Sequence, residues 1–456
     1  MGKTDPHPAV AALLGILLFT GGALSAGAQV PTKPELATRP QIERPSPSSS
    51  EEPIGELTLN RARDLALAHN AELSAYARGF NANEAAVDQA GVLPNPVLGA
   101  AAQNLGNSRL KEDGDRTAVL QLAQMIELGG KRAARVRLAE TGRDLAAWDF
   151  HTRYADLILR VSRAFIDVLA GQQRQSLSEG SLALTRQFAD SVSRRVEAGK
   201  TSPVEETRAK LSLYAAQAEL ERARRELAAA RQQLAALWNN PAPRFEKSVG
   251  DLEQVMEIPD RDHLFNRARE NPDLARWKSE IAQAEANVSV AKAKAVPDLT
   301  LSGSVARFSQ FNDTAYTVGI SIPIPLFDRN RSGVLEASRL LDRARDLQLA
   351  AESRVYGEIA AAEQRMAGIR AGIEALRDSI LPGAQSAFDA TRKGYELGKF
   401  GFIDVVDAER TLVQVRSQYL DALADYQRGV REIERLIGGE LDAGAPVKER
   451  NAGDPQ

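Results

Sequence analysis

Cysteine is absent from the 456 residues. That excludes disulfides, thiolate metal sites and a lipid-bearing N-terminal cysteine. Aromatic residues make up only 5% of the chain, which is sparse for a compact enzyme core. An excess of one charge is lacking as well. With 58 Lys and Arg against 61 Asp and Glu, the formal net charge is −3, which is no nucleic-acid footprint. Histidine is rare: past His7 there are only His69, His151 and His263, scattered over separate helical stretches. They form no ligand cluster, so no metal site and no cofactor is expected. Beyond Leu24 no run of about 18 apolar residues occurs, so no transmembrane helix is expected there. Phosphate-cradling glycine loops and nucleophile motifs of the usual kinds are missing too, and no enzymatic activity is expected.

What is present begins with an export signal. Lys3 precedes an apolar run, Ala9 to Leu24, and Ala26-Gly27-Ala28 closes it. This pattern predicts a signal peptide over 1–28, cleaved before Gln29. An exported chain without a helical span has two destinations: the periplasm, or an outer membrane entered by β-strands. Residues 29–56, rich in Pro and Ser, read as a linker, and 440–456 as a disordered tail.

The body of the chain is written twice. Glu197-Ala198-Gly199-Lys200 returns as Glu396-Leu397-Gly398-Lys399. After each copy the apolar positions alternate four and three residues apart. They run from Ala209 through Leu220 to Leu237, and again from Ala408 through Tyr419 to Leu436. That is a heptad seam in a common phase. Asn70-Ala71-Glu72-Leu73 likewise resembles Asn271-Pro272-Asp273-Leu274. The expected organisation is repeat 1 over 57–240, an inter-repeat linker over 241–260, and repeat 2 over 261–439.

Each repeat has the same order of parts. A helical stretch comes first (about Leu57–Gly91 and Arg261–Ala295), then two strand-like runs. These are expected near 97–105 and 117–126, and near 298–308 and 315–326, from period-two alternation. A very long helix follows, about Lys131–Ala198 and Arg329–Leu397, with Pro382 expected to kink the second or shift its register. Tip turns near 199–202 and 398–401 lead into returning helices. The fold class is mainly α with a small β part. Four strands cannot close in a bilayer alone, so if the hairpins are in a membrane several chains share one barrel. The alternative is a pair of soluble hairpins capping a helical domain.

Taken with the duplication, the tip turns Arg195 to Ser202 and Tyr395 to Gly401, and the run Asp404-Val405-Val406-Asp407-Ala408, the chain resembles the TolC-type outer-membrane efflux factors from about Leu57 to Gly439. The stretches Gln124 to Arg132, Pro323 to Asn330 and Leu93-Pro94-Asn95-Pro96 resemble the branch that serves heavy-metal (cobalt-zinc-cadmium) pumps of the resistance-nodulation-division type. The resemblance implies a homotrimer with a periplasmic α-barrel tunnel and a shared transmembrane β-barrel of about 12 strands, four per chain. It implies a periplasmic adaptor and an inner-membrane pump as partners, besides outer-membrane lipid. It implies a channel constriction at Asp404 and Asp407 and a gating contact between Tyr395 and Glu205. Phe400 stands where some relatives carry a gating arginine. Adaptor docking would fall on Arg195, Gly199, Ser202, Gly398 and Gly401. Two other readings remain open: the same channel for drugs or a secreted polypeptide, and a periplasmic coiled-coil adaptor or scaffold.

Overall fold

The computed structural model describes residues 52–103, 116–309 and 311–441. The expected leader, most of the linker after it, positions 104–105 of the first strand, and the tail beyond 441 lie outside the described residues. The chain is mostly helical, about 70%, with a small sheet.

A short strand β1 (Glu56–Thr58) leads into α1 (Leu59–His69) and α2 (Ala71–Ala90). Strands β2 (Val97–Gln103) and β3 (Thr117–Ile126) precede the 67-residue helix α3 (Lys131–Glu197), which at 1.5 Å per residue is about 100 Å long. Helix α4 (Pro203–Ala236) returns along it. Strand β4 (Lys247–Val249) follows, then α5 (Arg261–Ala268), α6 (Pro272–Ala275) and α7 (Trp277–Lys294). The second hairpin is β5 (Leu299–Phe308) and β6 (Asp313–Ser321). Last come α8 (Arg331–Ala375), a five-residue π turn (Leu376–Ile380), α9 (Leu381–Glu396) and α10 (Phe402–Ile437). Helix α3 is the spine, packing against α1, α2, α4, α7 and α10.

Both segments read as linkers contribute to a sheet. Glu56, at the end of the expected 29–56 linker, and Lys247–Val249, inside the expected 241–260 linker, pair as parallel strands. Leu57 and Ser248 are buried there, which is what holds these polar stretches in place. The expected tail begins too early as well: Glu440 is ion-paired with Arg63 at 2.8 Å, and Leu441 is buried.

Two asparagines show the duplication at atomic level. Asn70 caps α2 by accepting from the Leu73 N–H at 2.9 Å, and its amide donates to the Leu237 carbonyl at 2.8 Å. Asn271 caps α6 by accepting from the Asp273 N–H, and its amide donates to the Leu436 carbonyl, both at 2.8 Å. In each repeat one side chain thus satisfies an orphan donor at a helix start and an orphan acceptor at the end of the returning helix. The Asn70 cap splits the expected single stretch Leu57–Gly91 between α1 and α2, and Thr58 caps α1 after β1.

Pro382 acts as a register shift. It has no N–H to give, and the π turn immediately before it absorbs the missing bond, so the helix runs on from Arg331 to Glu396.

The hairpins form one antiparallel sheet in the order β2-β3-β5-β6. The expected 315–326 strand stops at Ser321 instead. Ile322, Ile324 and Leu326 keep the alternation, but Pro323 and Pro325 cannot donate to a ladder, and the segment leaves the sheet. Opposite residues of a ladder share a face, so the register sorts the side chains. Leu98, Leu122, Gly303 and Val318 form one row; Ala100, Leu120, Val305 and Tyr316 form the next. The opposite face carries Gly99, Gln121, Ser304 and Thr317. Within one chain the apolar face is bare: Leu98 is 68% exposed, Val318 84% and Ile320 71%.

Ion pairs fix the sheet to the helices. Arg135 grips Glu127 with two hydrogen bonds, 2.5 and 3.1 Å, and donates to the Ala90 carbonyl at the end of α2. Lys131 pairs with Asp298 at 2.7 Å, and the Leu128 N–H donates to the same carboxylate. Gln124 holds the Pro94 carbonyl at 2.9 Å. The stretches that resembled the metal branch are therefore the joint between strand and helix.

Candidate functional site

The sequence-predicted site residues gather at the two tips, where α3 turns into α4 and α9 into α10. Each tip is closed by a glycine in the left-handed region, Gly199 at φ 66° and Gly398 at φ 73°. Each makes the same helix-stopping bonds: Lys200 N–H to the Arg195 carbonyl and Lys399 N–H to the Gly394 carbonyl, both 2.8 Å. Only glycine takes this backbone without strain, which explains the repeated Gly-Lys. Ser202 caps α4 through the Val204 N–H, and Pro203 occupies its first turn.

The tips are packed side by side by their own small core, separate from the main one. It includes Val192 of α3, Ala209 of α4, Phe388 and Tyr395 of α9, and Phe402, Val405, Val406 and Leu412 of α10. Tyr395 sits in it, with Phe402 against its ring (centroids 6.3 Å apart) and the Arg195 guanidinium 4.7 Å from its centroid. Arg195, expected to face an adaptor, spends its side chain on the other tip of its own chain.

The expected Tyr395–Glu205 hydrogen bond is not formed within the chain. Glu205 accepts instead from Thr201 Oγ1 at 2.5 Å, and the buried Tyr395 hydroxyl has no hydrogen-bond partner. Phe400 lies over the backbone of Gly394: a Cβ added there would meet the ring at 2.1 Å.

Asp404 and Asp407 lie on the exposed face of α10, opposite the buried Val405 and Val406. Asp404 also reaches back to the Gly401 N–H at 2.8 Å. It therefore caps its helix, and its charge suits the positive end of the dipole. Two turns into the same helix stands an acid the sequence reading passed over. Glu409 is buried, with Oε1 3.1 Å from Ser181 Oγ and 3.0 Å from Thr185 Oγ1 on α3. Burial pushes its carboxyl above the usual carboxylate range, outweighing the two hydroxyls and Arg410. The available signal was its place beside the seam residue Ala408. Among the described residues, no group of three or more His, Asp or Glu is placed to hold a metal ion.

A duplicated helical hairpin chain, with a two-faced sheet at one end and glycine tips at the other, belongs to the outer membrane efflux protein family. The family's model matches residues 62–240 and 266–439. Its members are passive outer-membrane channels, not enzymes, which sets aside the scaffold reading. Among characterised proteins the chain is 36% identical over 387 residues to the cobalt-zinc-cadmium resistance protein CzcC of Cupriavidus metallidurans, covering 85% of this chain and 91% of that one. It is 27% identical over 241 residues to the nickel-cobalt-cadmium resistance protein NccC of Alcaligenes xylosoxydans xylosoxydans, covering 53% and 54%. The crystal structure of CusC has the same fold, with a TM-score of 0.72 at 17% identity over 84% of this chain and 92% of that one.

Proposed function

We propose that the protein is the outer-membrane member of a tripartite efflux system for heavy-metal cations. It works as a homotrimer, with a periplasmic adaptor at the helical tips and an inner-membrane pump of the resistance-nodulation-division type behind it. The single observation that carries the reading is the sheet. It presents one exposed apolar face and one polar face, and neither face is covered by the chain's own helices. That is the two-sided pattern of a barrel wall between lipid and water.

β2 and β6 are the outer strands of the sheet, with unpaired edges that hydrocarbon does not tolerate. Copies pairing β6 to β2 remove both edges, and three copies close a barrel of about 12 strands. Helices of about 100 Å carry the duct on through the periplasm. Threefold repetition of Asp404 and Asp407 makes rings of carboxylates at the far end, which attract cations and keep a narrow neck wet. Two relatives whose names state resistance to cobalt, cadmium, zinc or nickel support the choice of cargo.

Growth of a deletion strain, with and without the gene restored, tests this across zinc, cobalt, cadmium, nickel and copper alongside dyes and antibiotics. Sensitivity confined to metals is expected. Sensitivity to dyes or drugs alone would keep the channel and overturn the metal cargo.

A further inference from the structure

Glu409 sits where the two repeats meet, on α10 of the second against α3 of the first. The hydrogen bonds around it hold a proton count. Thr185 Oγ1 lies 2.8 Å from the Ser181 carbonyl and 3.0 Å from Glu409 Oε1. A hydroxyl has one proton, so it cannot donate to both. If Glu409 carries a proton, Oε1–H donates to Thr185, Thr185 donates to the Ser181 carbonyl, and Oε1 accepts from Ser181 Oγ at 3.1 Å. Both hydroxyls and Oε1 are then served. If Glu409 is ionised, Thr185 either gives up its carbonyl to donate or keeps it and sets a lone pair against the carboxylate, and the charge is left in a buried seam.

A cavity of about 670 Å³ adjoins the carboxyl and supplies the room for another arrangement. Leu381, the first residue after the π turn, lines it, so the cavity reaches the register shift in the α8–α9 rod. Its charged and titratable lining is Asp251 and Glu253 after β4, with Arg416 and Tyr419 of α10. The α3 and α9 walls are uncharged. Arg410, the next residue on α10, is the cation that favours ionisation.

We propose that Glu409, Ser181 and Thr185 form a proton-dependent clasp between the repeats, closed when Glu409 is protonated and loosened when it ionises. The direction follows from the sign of the linkage. A carboxyl raised in the folded state gives stability that is complete below the unfolded value of about 4.5 and is lost as pH rises through the folded value. Within the channel reading, loosening frees the helix that bears Asp404 and Asp407; the clasp itself does not depend on that reading.

The test is hydrogen exchange of peptides covering 402–415 in the full-length protein in detergent, comparing wild type with E409Q. The intrinsic pH dependence of exchange is common to both and cancels in their ratio. The ratio of wild-type to E409Q exchange should rise between pH 4.5 and pH 8, as the wild-type carboxyl ionises and the variant does not. A ratio that stays constant or falls overturns the clasp. E409M, also neutral and of similar length, repeats the comparison if E409Q fails to fold. Conductance plays no part in this readout, so failure of the clasp and failure of the channel reading are seen separately.

Discussion

The Arg195 guanidinium lies 4.7 Å from the centroid of the Tyr395 ring, joining the two tips of one chain through a cation–π contact. Half-exposed contacts of this kind contribute about 0.5–1 kcal/mol. R195A should therefore destabilise the tips by about that amount, and a double-mutant cycle with Y395A should return a coupling of similar size. Y395F keeps the ring and removes only a buried hydroxyl without a partner, so it should be neutral or slightly stabilising. Denaturation of the four proteins of the cycle and of Y395F checks this; a coupling near zero would mean that the contact contributes nothing to the tips.

The two faces of the sheet should respond oppositely to charge. V318R puts a cation on the apolar face, where lipid contact costs about 2–4 kcal/mol near the membrane midplane. T317R, one residue away, puts the same cation on the polar face. The first should deplete the protein from carbonate-resistant membranes, and the second should leave it there. Equal behaviour of the two would contradict the assignment of faces.

Glycines at the second tip differ in what they tolerate. Gly398 faces open space, so a side chain there meets only the backbone penalty of its positive φ, about 1–2 kcal/mol. G398V should keep the protein in the membrane and abolish resistance by deforming the tip. G394A is different: its Cβ would strike Phe400, so the ring must leave its seat. Protease nicking near Phe400 should rise in G394A more than in G398A.

The joint between sheet and helix should show an acid-side transition. Hydrogen bonding from Arg135 holds the Glu127 carboxyl below its usual value. A depressed folded pKa gives stability that is present above the unfolded value of about 4.5 and is lost as pH falls through the folded value. E127Q should accordingly be less stable than wild type at pH 7, and the gap should narrow at an acid pH below the unfolded value. A gap of the same size at both pH values would show that the pair contributes packing rather than charge.

Much of this architecture was legible because local chemistry repeats with the repeat. Asn70 and Asn271, Gly199 and Gly398, and the common seam phase each mark a helix start, a turn or a packing face with one residue type. What stayed hidden was contact across sequence. Nothing near Arg195 or Tyr395 in the chain announces that they stack, because one lies in each repeat. Glu409 stayed hidden too, since an acid beside a heptad seam is usually exposed, and only the packing of α3 against α10 covers it. Ile322, Ile324 and Leu326 misled for the reverse reason: their alternation is that of a strand, while the two prolines between them withhold the donors a strand needs.

Single-channel recording of the purified protein in planar bilayers shows whether Asp404 and Asp407 narrow a cation-conducting duct. Discrete conductance with cation selectivity is expected in the wild type, with loss of that selectivity in D404N/D407N while the protein stays inserted. Insertion without conductance in either protein would be compatible with a shut gate only if loosening the tips with R195A opened it. Selectivity unchanged by D404N/D407N would contradict the account, placing the constriction elsewhere in the chain.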